Sequence, residues 1–136
     1  MLSWRRATVG SNEWLARFIL RKEHIRSDGT IKPDPFIPYK YVELSVTRHI
    51  GLSENEIWDA GKIVAAQIEK PLLGRADAKT KLFQKNNLSV KAAPVKGNRN
   101  HGNVIGWPTD KQSQKEIALL LLKDGEVSFS PLPDQH

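Results

Sequence analysis

The chain contains no cysteine. Thiol nucleophiles, Cys-ligated zinc, iron–sulfur clusters and disulfides are therefore excluded as sources of chemistry or stability. Long apolar runs are missing as well. The longest, Ile117 to Leu122, is six residues, where a helix crossing a bilayer needs about 20. No apolar stretch of signal-peptide length follows Met1-Leu2-Ser3-Trp4-Arg5-Arg6. With no disulfides to favour an oxidising compartment, the expectation is a cytoplasmic protein without a membrane partner. Several catalytic signatures are lacking too. There is no Gly-Lys-Ser/Thr ending of a P-loop, no Gly-rich dinucleotide fingerprint and no Gly-x-Ser-x-Gly elbow. No carboxylate pair stands at suggestive spacing, and no cofactor is implied.

What is present suits an ordinary folded domain. The 136 residues are 39% apolar and 26% charged, and a chain of this size buries roughly two-thirds of its unfolded surface without a metal or disulfide staple. One domain spanning residues 1–136 is expected.

The net charge is +6, and one segment holds all of it. Between Arg75 and His101 the basic residues are Arg75, Lys79, Lys81, Lys85, Lys91, Lys96 and Arg99, against Asp77 alone. The rest of the chain balances fourteen basic against fourteen acidic groups. Such a segment can neutralise phosphates and release counterions. It can equally dock on an acidic protein surface, or simply be a solvated Lys-rich face. Phe83 is its one aromatic, which counts against a stacking platform for single strands.

Local patterns divide the chain into short elements. Residues 12–22 carry apolar side chains at 14, 15, 18 and 19, which suits a short helix, while the run from Leu15 to Leu20 suits a buried strand equally. Asp28-Gly29 supplies a tight turn for a small hairpin over 24–32. Three prolines mark 33–38 as an irregular loop. Val42, Leu44 and Val46 alternate with polar neighbours, predicting a half-buried strand over 41–48. Ser53 and Glu56 form a capping box. It opens a helix lined on one side by Ile57, Gly61, Val64, Ala65 and Ile68 and ended by Lys70-Pro71.

Further on, a second helix is expected over about Asp77 to Lys85 and a strand over 88–92. Residues 98–108 read as a Gly/Asn-rich connection with a short apolar insert, Val104-Ile105. Thr109 to Gln112 is a second capping box, launching a helix through Leu122 that Asp124-Gly125 stops. Four consecutive leucines cover all sides of that helix, so a central position is expected. A hairpin joining 118–122 to 127–131 competes with it. The fold class is α+β: a small, mostly antiparallel sheet packed with two to three helices, its strand order open.

The candidate binding residues are Lys79, Lys81, Lys85, Lys91, Lys96, Arg99, Asn100 and His101, in a non-catalytic module that engages nucleic acid or an acidic protein partner. The rival is a small enzyme acting on a phosphate-bearing or nucleotide substrate. Its acid/base would be His101, ahead of a helix start that could seat a phosphate. Arg48 or Arg17 would clamp the anion, with His24 as a second histidine. That reading requires His101, another histidine and an arginine to share a cleft with their side chains converging on one point, and it is dropped if they lie on different faces. His24, His49 and His101 lack the short spacing of metal ligands, so no metal site is expected. A third class, an assembly subunit, would be marked by exposed Trp4 and Trp14. Trp4, Trp14 and Trp58 are otherwise expected as core or rim residues. The alternative to a functional loop at 100–108 is that Trp107-Pro108 plugs the core while Asn100 and His101 satisfy loop backbone.

Several short matches run through the chain: Arg17-Phe-Ile19, Phe36-Ile-Pro38, Leu44-Ser-Val46 with Arg48, Leu52-Ser with Glu56-Ile-Trp58, and Asn100-His101 with Gly106-Trp-Pro108. Together they resemble a family of small uncharacterised bacterial proteins with no established activity. The resemblance implies one compact domain and assigns no role.

Overall fold

The computed structural model describes residues 8–133. Six strands form one antiparallel sheet: β1 (Trp14–Ile19), β2 (Leu44–Arg48), β3 (Gly74–Lys79), β4 (Ser89–Ala92), β5 (His101–Ile105) and β6 (Ser128–Pro131). Their spatial order is β4-β5-β2-β1-β3-β6. Three helices cover it: α1 (Glu54–Gln67), α2 (Thr80–Gln84) and α3 (Lys111–Leu122). This is the expected α+β class, in a single compact body.

Residues 14–19 resolve as a strand because alternation gives β1 two useful faces. Leu15 and Ile19 enter the larger core with Leu82, Phe83, Ala118 and Leu121, while Ala16 and Phe18 enter a second core with Ile57, Trp58 and Ala65. The sheet therefore carries α2 and α3 on one face and α1 on the other. A helix at 12–22 could not have fed both cores.

The capping box at Ser53 forms as expected, with Glu56 N–H donating to Ser53 Oγ and Ser53 N–H donating to Glu56 Oε1. Helix α1 stops before Lys70-Pro71. Its last carbonyls are taken by a Schellman turn, in which Glu69 N–H donates to Ala66 and Lys70 N–H to Ala65. Glu69 consequently adopts φ 54. Gly61 lets α1 approach β1: a Cβ there would lie 2.6 Å from Phe18 Cε1.

Four expectations need correction. The helix placed over Asp77–Lys85 is a strand to Lys79 and a short helix from Thr80. The period-two pattern of β3 is carried by small Ala76 and Ala78, too weakly apolar to stand out. The connection at 98–108 holds β5, because Gly102 and Val104 are the inward positions of a strand paired on both sides. The second cap is Asp110, whose carboxylate accepts from Ser113 N–H, one residue later than Thr109. Helix α3 is peripheral: Leu121 is buried, but Leu119 and Leu120 are half exposed, at 49% and 50%. The competing hairpin at 118–131 does not form, although 128–131 pairs as a strand with β3. The turn at Asp28-Gly29 forms with φ +88 at Gly29, closed by one bridge between Ile25 and Ile31. None of the helices among the described residues is long and apolar enough to cross a membrane.

Candidate anion-binding cleft

The two central strands do not stay paired. β1 and β2 match Leu15 to Arg48 and Ala16 to Thr47, and there the ladder ends. β1 continues along β3 through Ile19, and β2 continues along β5 through Leu44. Beyond Ala16 and Thr47 the sheet is therefore split.

Arg17 explains what fills the opening. It occupies the inward position between Leu15 and Ile19, where an aliphatic residue would continue the core. A guanidinium there needs polar partners. Its Nε donates to the Pro35 carbonyl at 2.8 Å and its Nη1 to the Ser45 carbonyl at 3.0 Å, which spans the split. Burial pushes its pKa down to about 10, so the group stays charged at neutral pH.

The split forms a cleft of about 620 Å³. This is within the usual range for small-molecule sites. Arg17, Arg21, Lys70 and Lys111 bring positive charge to its walls, and Asp34 is the one carboxylate among the described lining residues. His24 and His101 line the same cleft. Arg21 also makes an exposed contact of 3.6 Å with Glu23, and Lys111 lies 6.0 Å over the Tyr39 ring. Burial lowers the His24 pKa, partly opposed by Asp34, so its imidazole is predominantly neutral at pH 7. His101 Nδ1 lies 2.8 Å from the Ala93 carbonyl. A carbonyl only accepts, so in the neutral ring Nδ1 carries the proton and Nε2 the lone pair.

Of the sequence candidates, Arg17, His24 and His101 all line this cleft. Arg17, however, shares the sheet face of Leu15 and Ile19, while His101, out of phase with Val104, lies on the α1 face. The convergence on one point that the enzyme reading requires is therefore not met. The others do not join them. Arg48 is buried in a bidentate pair with Glu13, Nε to Oε1 and Nη2 to Oε2, each 2.9 Å. Asn100 is a structural pin: its Nδ2 donates to the carbonyls of Arg48 and Ile50 at 2.9 and 2.7 Å. The start of α3 does not offer a clear phosphate seat, since Asp110 places its own carboxylate on the free N–H of Ser113.

The basic segment is dispersed. Arg75 is buried between Asp77, Glu54 and the Trp58 ring. Lys85 pairs with Glu126. Arg99 borders a second hollow that also contains Glu56 and Asp59. Lys79 lies 5.5 Å over the Trp14 ring. Lys81, Lys91 and Lys96 are exposed. Lys79 and Lys91 stand on β3 and β4, four strand positions apart, or roughly 19 Å at the usual inter-strand spacing.

His49 does not approach the other histidines; its Nε2 lies 3.1 Å from Asp77 Oδ1. No cluster of three or more His, Asp or Glu side chains suited to a metal occurs among the described residues. Trp107 and Trp58 are in the core. Trp14 is 40% exposed, while Trp4 lies outside the described residues.

No known family, curated protein or solved structure matches this chain.

Arg21, Asp34, Lys70 and Lys111 were missed by the sequence reading. They come from four separate connections or helix ends, and no spacing rule joins them. Proline at 33, 35 and 38 marked the loop that supplies Asp34 and Pro35, and this was the one local signal available.

Proposed function

We propose that the protein binds a small phosphate- or carboxylate-bearing molecule in the cleft between β1 and β2. The observation that supports this is one opening lined by four cationic side chains and two histidines, with a single carboxylate among the described lining residues. Arg17 is the central contact. Its planar fork already holds two carbonyls, and a fork of donors suits carboxylate and phosphate oxygens. A ligand of this kind is at home in the cytoplasm. The basic segment at 75–101 gives less support to nucleic acid, because its cations are spread and two of them, Arg75 and Lys85, are engaged with acids.

A second reading, a small enzyme on the same class of substrate, draws on the tautomer of His101 alone, since Arg17 stands on the other face of the sheet. A neutral imidazole with Nε2 unprotonated can take a proton from a bound ligand.

The test is calorimetric titration with inorganic phosphate and with adenosine monophosphate. Binding that weakens tenfold to hundredfold in Arg17→Met supports the reading, that being the range for a lost charge-assisted hydrogen bond. Absence of binding to either probe sinks it. Oligonucleotide anisotropy at about 50 and 200 mM salt then decides the alternative: tight, steeply salt-dependent binding lost on replacing Lys79, Lys81 and Lys85 would transfer the function to the basic segment.

A further inference from the structure

We infer that the ligand is a polyhydroxylated small molecule with one anionic head, a polyol phosphate or sugar acid; this rests on the anion-binding reading of the same cleft. Arg17 stands on the sheet face of Leu15 and Ile19, and His101 on the face of α1, yet both line the cleft. The opening therefore runs through the split sheet, and a ligand that fills it meets two sets of groups. On the side of the larger core stand Arg17 and Lys111, the latter from the start of α3. Arg17 spends Nε and Nη1 on carbonyls, and its Nη2 has no hydrogen-bond partner among the described residues. This side suits the anionic head.

The side of α1 is mixed. Thr47 and Asn98 are engaged with one another there, Asn98 Nδ2 donating to Thr47 Oγ1 at 2.9 Å. Gln67, Lys70 and His101 keep free capacity. The Gln67 amide and the Lys70 ammonium have no side-chain partner among the described residues. His101 Nδ1 is held by the Ala93 carbonyl, which leaves Nε2 as an acceptor in the neutral ring. Donors and an acceptor thus share this side with the methyl groups of Val64, Ile68 and Val95. A hydroxyl both donates and accepts, so a hydroxylated chain answers all three polar groups while its C–H edges meet the methyls. An alkyl tail would strip water from those groups and return no bonds. A second carboxylate, an acceptor only, would set its lone pairs against Nε2. A nucleobase finds no aromatic sandwich: Phe18 is buried against Gly61 of α1, and Tyr39 lies beneath Lys111.

The experiment is calorimetry on the full chain with five-carbon phosphates that differ only in the tail: pentyl phosphate, carboxybutyl phosphate and ribitol phosphate. Inorganic phosphate serves as the bare head, and gluconate separates a carboxylate head from a phosphate. Each hydrogen bond formed by the tail should tighten binding about two- to tenfold, so ribitol phosphate should bind about tenfold or more tightly than pentyl phosphate. Gln67→Leu, at an exposed position, and His101→Phe should each lose more affinity for ribitol phosphate than for inorganic phosphate. If inorganic phosphate binds and pentyl phosphate binds as tightly as ribitol phosphate, the inference is overturned and the anion site stands. Carboxybutyl phosphate binding most tightly overturns it in favour of a second anion, and adenosine monophosphate binding most tightly in favour of a nucleotide. If no probe binds, both readings fail together.

Discussion

Arg17 Nη1 donates to the Ser45 carbonyl across the gap where β1 and β2 separate, replacing with one side chain the strand pairing that has ended. The same side chain supports the prolyl loop through Pro35. Arg17 therefore couples the shape of the cleft to its charge.

Replacing Arg17 with methionine should remove both roles at once. The aliphatic stem is conserved, while two charge-assisted hydrogen bonds are lost. The expected loss of stability is about 1–3 kcal/mol, read from denaturant unfolding with an unchanged m-value. A variant as stable as the parent would show that the carbonyl contacts are incidental.

Asn100→Ala should behave in the opposite way. The side chain pins the turn after β2 through two carbonyls, so a cost of about 1–3 kcal/mol is expected. Asn100 does not line the cleft, so phosphate affinity at a temperature where the variant is folded should stay within a factor of two or so of the parent. A large selective loss of binding would restore it to the binding residues.

Asp77→Asn tests the polar cluster under α1. Asp77 Oδ2 accepts from Arg75 Nε at 2.9 Å while Oδ1 meets His49, and Arg75 Nη1 is buried without a hydrogen-bond partner among the described residues. Removing one partner of a buried cation typically costs about 3–5 kcal/mol. Glu54 remains on Arg75, so the lower end of that range is expected from thermal or denaturant unfolding. A neutral result would mean that Glu54 alone satisfies the guanidinium.

The pH dependence follows from His24. Its pKa is lowered from 6.5 by burial, so as pH falls below that value the unfolded chain takes up the proton first. His24 therefore removes stability as pH falls through the folded-state pKa and costs nothing well above 6.5. Unfolding measured from pH 8 to pH 5 should show this decline, and His24→Gln should flatten it. A bound anion acts in reverse by favouring the protonated ring, so phosphate should bind more tightly at pH 5.5 than at pH 7.5 once its own charge state is accounted for. No difference between His24→Gln and the parent would remove His24 from the site.

Glu69→Gly should stabilise the fold. Glu69 holds the left-handed position of the α1 Schellman turn at φ 54, where an L side chain costs roughly 1–2 kcal/mol and glycine costs little sterically. A rise in stability of about 1 kcal/mol is expected, reduced somewhat by the greater entropy of glycine in the unfolded chain.

How much of this was legible before folding differs from feature to feature. The Ser53 cap, the β2 alternation and the Asp28-Gly29 turn were readable because their causes lie within a few residues. β3 and β5 were obscured because Ala76, Ala78 and Gly102 face inward with little hydrophobicity of their own. Asn100 was read as a binding contact and Asp77 as the start of a helix, yet their partners lie 52 and 28 residues away in sequence, at Arg48 and His49.

The sequence by itself determined the α+β class, the absence of thiol and disulfide chemistry, the net charge and the local caps. Those depend on composition and on contacts along a few turns of chain. Only the tertiary structure decided where the charge acts. It took Arg48 and Arg75 into internal ion pairs, spread the lysines over distant strands, and gathered Arg17, His24, His101 and Lys111 at a split between strands. Sheet order brings those four together, and sheet order is set by long-range burial that no local pattern encodes.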